Sequence, residues 1–241
     1  MPSSEQAGVA TLLLADARLP VGGHAQSGGL EPAIVHGLEV GDVPAFITAR
    51  LRTVARIDAG AAVVARHAVV AQHAATDELD PDKGATRLSA DDVETAWAAR
   101  TPSGAARNAA LATGRGIHRL LTRLAPDSDA LTWLEELPRE RRHRPVALGA
   151  LAAHLGLDAH ATARVAAYDD IQTVASAATK ILPLDPLDPV MWTLAAAPEL
   201  EALVDEIAPL RAPRDIPATA APHLDLWLER HAHTTRRLFH A

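Results

Sequence analysis

The chain has 241 residues, of which 48% are hydrophobic, 22% are charged and only 3% are aromatic. Its 30 acidic residues outnumber the 23 basic ones, and the net charge of −7 disfavours a nucleic-acid-binding protein, which usually carries a basic excess. Cysteine is absent, which excludes disulfides, thiolate nucleophiles and thiolate metal sites. Alanine and leucine dominate over β-branched and aromatic residues, and this composition predicts an all-α protein.

The N-terminal segment predicts neither a signal peptide nor a membrane anchor. It has no basic start, and Asp16 and Arg18 interrupt its leucine-rich run. No stretch of about 18 apolar residues occurs in the sequence, so no transmembrane helix is expected. Together with the absence of cysteine, these features predict a cytoplasmic protein.

The first half of the chain is predicted to form helices that are separated by glycine- and proline-rich breaks. A serine caps the first helix, and Pro20, Gly22 and Gly23 end it. Asp42 is a candidate N-cap of a long helix, and the polar residues 74–89 are expected to form an exposed loop. The helices predicted in this half cover residues 4–17, 30–37, 42–73, 91–100 and 103–124.

The second half contains the clearest amphipathic pattern, in residues 158–182, where apolar residues recur along one face until Pro183 stops the helix. The basic run 139–144 is expected to be solvated, and residues 208–222 are expected to form a loop. The helices predicted here cover residues 127–137, 146–155, 158–182, 191–196, 199–207 and 222–237. We expect residues 1–241 to form one domain, a bundle-like array of about ten helices with a flexible N-terminus and C-terminal tail.

No combination of residues predicts catalysis. Gly23 and Gly28 have the spacing of a phosphate-binding loop, but the required lysine is missing, so a bend that lets two helices approach is expected. Ser27 lacks the glycine elbow of a nucleophilic serine. Asp169 and Asp170 are adjacent and point about 100° apart on a helix, which excludes a catalytic carboxylate pair. We therefore assign no catalytic residue.

The 12 histidines do not form a recognisable metal-binding pattern. The helical HExxH motif is absent, and the histidines on the predicted helices are not three or four residues apart. Dispersed surface histidines are therefore expected, and no metal site is assigned. One alternative stays open, in which His231, His233 and His240 bind a metal together near the C-terminus.

Residues 19–31, which read LPVGGHAQSGGLE, resemble the N-terminal motif of the UreF family of urease accessory proteins. In that family the motif typically has LPVGG, an aromatic residue, two variable residues and S-x-GLE. Residues 144–149 (RPVALG), 174–184 (VASAATKILPL) and 236–239 (RRLF) are similar to further family motifs in the same order. The resemblance covers nearly the whole chain.

The chain departs from the family pattern at several positions and is identified as a divergent member. The differing residues replace an aromatic residue, a glutamate, a serine, a glycine–glutamine pair and a terminal arginine–serine pair. They are, in that order, His24, Asn108, Ala110, Asp185 with Pro186, and His240 with Ala241.

The resemblance implies an all-α, commonly dimeric scaffold and not an enzyme. Members of the family bridge the accessory protein UreD, also called UreH, and the GTPase UreG, and the assembly delivers nickel to apo-urease. Modulation of the GTPase is a further implied role. No cofactor is expected, because nickel and GTP are handled by the partner proteins. The expected partners are UreD/UreH-like and UreG-like proteins, apo-urease and a second copy of the chain, without nucleic acid or membrane.

The residues that the resemblance implies in partner binding come from three separate segments. They are Glu31, Lys180, Arg236, Arg237, Leu238 and Phe239. The first two bear on the GTPase interface, and the C-terminal four help to dock partners. Lys180 also falls in the last turn of its predicted helix, where a cation stabilises the helix dipole, and this role stays an alternative. The remaining motif residues are expected to shape the backbone; they are Pro20, Gly22, Gly23, Ser27, Gly28, Leu30 and Pro183.

Overall fold

The structure, a computed structural model, describes residues 4–16, 18–77, 87–235 and 238–239. These residues form α-helices joined by turns, and no β-strand occurs among them, so the all-α prediction is confirmed. None of the helices in these ranges combines the length and hydropathy that a membrane crossing requires. The helices are α1 Ser4–Leu14, α2 Leu30–Val35, α3 Val43–Arg52, α4 Val54–Asp77, α5 Ala90–Ala98, α6 Gly104–Leu124, α7 Asp129–Glu135, α8 Arg144–His154, α9 Ala159–Ile181, α10 Asp188–Ile207 and α11 Pro222–Ala232.

Helices α4, α8 and α9 form the centre of the fold. Every residue of α8 from Pro145 to Ala152 is buried. Small residues let the backbones approach closely, since a Cβ atom added to Gly149 of α8 would lie 2.3 Å from the Ala62 carbonyl oxygen of α4. Close approach of alanine- and glycine-rich helices thus fills a core that has few aromatic side chains. Around this centre, α9 also packs against α2, α3 and α10.

The prediction of one long helix over residues 42–73 is wrong, because the chain breaks at Thr53. Thr53 has φ −126° and ψ −90°, which lies outside the helical region and separates α3 from α4. Its carbonyl oxygen accepts a hydrogen bond from the Thr219 hydroxyl at 2.8 Å. The apolar periodicity continues through the break because Leu51 and Ala55, on either side of it, are buried in one core.

Helix α10 continues through Pro198, where two separate short helices are predicted. Proline removes one N–H donor and crowds the preceding turn, which favours a break in an isolated helix. Here α10 packs along α9, and Leu200, Leu203 and Val204 beyond the proline are buried. Tertiary packing therefore outweighs the local effect of the proline.

Two helix ends also differ from the prediction. Helix α4 extends to Asp77, into the segment predicted as a loop, and residues 78–86 of that segment lie outside the described residues. Helix α11 ends at Ala232 and not near residue 237.

The basic run 139–144 is only in part the solvated segment that its composition predicts, since Arg139 and Glu140 are exposed but later residues are not. Arg142 and His143 are buried. Arg142 Nε donates to the Leu137 carbonyl oxygen at 2.9 Å, and His143 Nδ1 lies 2.6 Å from Glu94 Oε1. The glutamate comes from α5, 49 residues away, so the local charge pattern could not predict the pairing of His143 with Glu94.

Candidate partner-binding site

Residues 19–31 form a bend that glycines at positive φ shape. Gly22 (φ 94°) precedes a short 3-10 turn at Gly23–Ala25, and Gly28 (φ 62°) and Gly29 (φ 82°) lead into α2. Glycine adopts these left-handed conformations without steric cost. The bend places α2 against both α9 and α11, so the predicted close approach of helices is present.

The structure also describes the other four motif residues that were expected to shape the backbone. Ser27 and Leu30 are completely buried. The Pro20 carbonyl oxygen accepts a hydrogen bond from Arg119 Nη2 of α6 at 3.1 Å. Pro183 is exposed and follows the end of α9.

A buried arginine anchors the bend to the core. Arg50 of α3 is 7% exposed, and its Nη1 donates to the Gly28 carbonyl oxygen. Its Nε donates to Asp170 Oδ2 of α9 at 3.0 Å, and Nη2 contacts the other oxygen of this carboxylate. Bidentate arginine–carboxylate pairs of this kind are strong and directional. Sequence reasoning missed this pairing, because Arg50 lies 22 residues from Gly28 and 120 residues from Asp170.

Glu31, in the first turn of α2, holds the C-terminal tail against the body of the protein. Its Oε1 accepts the Leu238 N–H at 2.8 Å, and its Oε2 accepts the Phe239 N–H at 3.0 Å. His231 Nε2 of α11 lies 3.2 Å from the same Oε2, and the side chains of His231 and Glu31 are both largely buried. Hydrogen bonds to an ionised carboxylate are stronger than those between neutral groups, so this contact fixes the tail.

Lys180 lies on the other side of the same tail segment. It belongs to the last turn of α9, and its Nζ donates to the His24 carbonyl oxygen at 3.2 Å. The ammonium also lies 5.2 Å from the centre of the Phe239 ring, within the range of a cation–π interaction. Phe239 is 4% exposed, whereas its neighbour Leu238 is 71% exposed.

Four of the six residues implied in partner binding therefore come together in space. We call Glu31, Lys180, Leu238 and Phe239 the tail clasp. The other two, Arg236 and Arg237, lie outside the described residues. The clasp joins segments that are more than 200 residues apart in the chain, and no local pattern indicates this.

The described part of the chain contains no group of three or more histidine, aspartate or glutamate residues that could hold a metal ion. Among the histidines of the open alternative, His231 faces Glu31 in the clasp, and His233 is exposed just after α11. His240 lies outside the described residues.

Comparison with known proteins identifies the family of the chain. A family model, UreF, matches residues 39–197. The urease accessory protein UreF of Mycobacterium sp. (strain JLS) is 38% identical over 95% of this chain and 96% of its own length. The chain belongs to the UreF family. The UreF of Mycolicibacterium vanbaalenii is 36% identical over 96% of this chain and 98% of its own length, and that of Mycobacterium tuberculosis (strain H37Rv) is 34% identical over 95% and 96%.

The range matched by the UreF family model includes Lys180, but it begins after Glu31 and ends before Phe239. The three named UreF relatives extend the similarity to about 95% of the chain. In this UreF-family chain, the clasp therefore links Lys180, inside the range that the family model matches, to two segments outside that range.

Proposed function

We propose that this UreF-family chain is a scaffold for urease maturation. It bridges a UreD/UreH-like protein and a UreG-like GTPase, so that nickel is inserted into apo-urease, and it modulates the GTPase. The observation that carries the proposal is the similarity to urease accessory proteins over about 95% of the chain, at 34% to 38% identity. In this role nickel is the cargo and GTP is the ligand of the partner, and the chain itself catalyses no reaction.

The tail clasp supports a docking role for the residues that the family resemblance selects. Leu238 is a large apolar side chain that is 71% exposed, directly beside the buried Phe239 and the cation of Lys180. Aromatic residues and arginine are enriched in protein interfaces, and the tail segment contains Phe239 with Arg236 and Arg237. We place the GTPase-binding face at this clasp.

The first half of α10 supports the proposal that the chain forms a homodimer. Its apolar residues, together with the leucine directly before it, recur at spacings of three and four and are between 52% and 66% exposed. Such a stripe is self-complementary and can pack against its own copy around a two-fold axis. The residues of this stripe are Leu187, Val190, Met191 and Leu194.

Co-purification with UreD/UreH-like and UreG-like proteins, in the presence of apo-urease, tests the scaffold. We expect a complex on a sizing column, and we expect Leu238→Glu to weaken GTPase binding by about tenfold or more. Leu124→Glu is the matched control, because Leu124 is also an exposed leucine, 53% exposed at the end of α6. Neither change removes a buried group, so both variants should keep their thermal stability.

Two outcomes would contradict these proposals separately. Failure of the wild-type chain to bind any of the three partners would overturn the scaffold role. Complex formation that Leu238→Glu and Leu124→Glu affect equally would leave the scaffold standing and remove the clasp as its docking face.

The alternative role is a helical nickel-binding protein that uses His231, His233 and His240. A nickel titration of the purified chain, before and after removal of residues 236–241, separates the two roles. Tight stoichiometric binding that truncation abolishes would favour the alternative. The contact of His231 with Glu31 supports the scaffold, because this imidazole already faces a buried carboxylate.

A further inference from the structure

A cavity of about 380 Å³ lies between the glycine bend and helices α3 to α6, α8, α9 and α11. This volume is in the range of pockets that bind small molecules. Its walls are largely apolar, and Val54, Ile57, Leu224 and Leu228 contribute the larger side chains. A polar group also opens into it, the carboxylate of Asp58 on α4.

Asp58 has one satisfied and one open oxygen. Its Oδ1 accepts the indole N–H of Trp97 at 2.7 Å. No hydrogen bond to its Oδ2 is formed by the described residues, and Asp58 lines the cavity. Burial raises the pKa of Asp58, and the hydrogen bond from Trp97 opposes this rise only in part. A cation placed at Oδ2 would stabilise the ionised carboxylate.

The positive charges around Asp58 are already engaged. Arg50 pairs with Asp170, and Arg144 Nη2 donates to Asp169 Oδ2 at 2.6 Å. All four residues line the cavity. Because each arginine is paired with an aspartate, the two pairs add no net charge to the cavity wall.

Two other charged residues complete the wall. Arg100 donates to the carbonyl oxygens of Ile216 and Ala96. Asp225 of α11 has no ion pair among the described residues, and burial raises its pKa as well. Asp58 and Asp225 are thus the two carboxylates of the lining that form no ion pair among the described residues, and such carboxylates favour a cationic ligand that donates hydrogen bonds.

A metal ion does not fit this arrangement, because no group of three candidate ligands lies together in the described part of the chain. An organic cation needs only one carboxylate for its charge and uses apolar walls for the rest. We propose that the cavity binds a small organic cation, a protonated alkylamine or amidine, with its charged head on Asp58 Oδ2 and its alkyl part against Val54, Ile57 and Leu224. The proposal does not depend on the role in urease maturation.

The indole N–H of Trp97 reports directly on this site. We would titrate the full-length chain with n-butylammonium chloride and follow the four tryptophan indole resonances by ¹H–¹⁵N NMR. The Trp97 resonance is expected to move saturably, because its N–H donates to the carboxylate that binds the cation. Trp133 is the internal control, since its indole donates to the Leu88 carbonyl oxygen away from the cavity.

Neutral n-butanol and sodium chloride separate charge recognition from other effects. We expect neither to reproduce the displacement of the Trp97 resonance. A displacement by n-butanol equal to that by n-butylammonium would mean that the cavity is a plain apolar pocket, and the proposal would be wrong. No displacement beyond that produced by sodium chloride would equally overturn it.

Substitution and pH give two further tests. Asp58→Asn should weaken n-butylammonium binding by about tenfold or more, whereas Asp205→Asn, at an exposed carboxylate on α10, should leave it unchanged.

For the wild-type chain, binding should weaken as the pH falls through the raised pKa of Asp58, which gives a readout even where Asp58→Asn fails to fold. Binding that neither Asp58→Asn nor acid weakens would contradict the assignment. The other charged groups that line the cavity are Arg50, Arg100, Arg144, Asp169, Asp170 and Asp225.

Discussion

Two glycines of the same motif differ in what a side chain would meet. Gly29 has φ +82°, and a Cβ atom there would lie 2.3 Å from Leu224 Cδ1 of α11. Gly23 has no positive φ, and nothing lies within 4 Å of the position of its Cβ atom. One glycine is thus required by backbone conformation and by packing, and the other is required by neither.

We expect Gly29→Ala to lower the free energy of unfolding by about 1–3 kcal/mol, because alanine there is strained and displaces Leu224. Gly23→Ala is the matched control and should change the stability by less than about 0.5 kcal/mol. Urea unfolding followed by circular dichroism measures both. Equal losses for the two variants would show that the bend does not depend on the conformation of Gly29.

For single residues, the sequence predicted which residues belong to the candidate site, but it did not predict which of them contact one another. Resemblance to family motifs selected Glu31, Lys180 and Phe239, but their mutual contacts depend on how the tail returns to α2. Arg50 and Asp58 carried no sequence signal, because a single arginine or aspartate in a helical pattern does not reveal a buried partner on another helix.

At the scale of helices, two starts with side-chain caps were predictable, whereas interruptions set by tertiary contacts were not. Asp42 precedes α3 as predicted, but its side chain caps no N–H of that helix. Ser103 and Asp158 accept N–H hydrogen bonds at the starts of α6 and α9, as their positions in the sequence indicate. The break at Thr53 and the continuity of α10 through Pro198 both depend on other helices. Helix propensity alone gives the wrong result at both places.

The exposed stripe of α10 leads to a prediction about association. We expect the wild-type chain to be a dimer by light scattering, and we expect Leu194→Lys to shift it to the monomer, because a lysine in the seam would be desolvated without a partner. Leu194 is 63% exposed, so the folded monomer should keep its stability. Leu226→Lys, at a leucine that is 44% exposed on α11, is the control. A wild-type monomer, or a dimer that survives Leu194→Lys, would contradict the proposed interface.

At the scale of the whole molecule, folding brings charged side chains from distant parts of the chain together, and it changes the pKa of titratable groups between them. His67 of α4 is an example: its Nε2 lies 2.7 Å from Arg211 Nη1, and its Nδ1 lies 3.2 Å from Arg66 Nη1. Burial first, and the two arginines second, lower the pKa of His67 from 6.5 to about 4. The folded chain therefore keeps this imidazole neutral at a pH where the unfolded chain protonates it.

The consequence is a loss of stability in acid with a definite sign. Between about pH 6.5 and about pH 4 the unfolded state binds more protons at His67 than the folded state does, so the free energy of unfolding falls as the pH decreases. We expect His67→Gln to lose less stability than the wild-type chain between about pH 7.5 and about pH 5, as measured by urea unfolding at each pH. His160→Gln, at an exposed histidine on α9, should keep the wild-type loss. Parallel losses for His67→Gln and the wild-type chain would show that the arginine-flanked imidazole does not set the acid sensitivity of the fold.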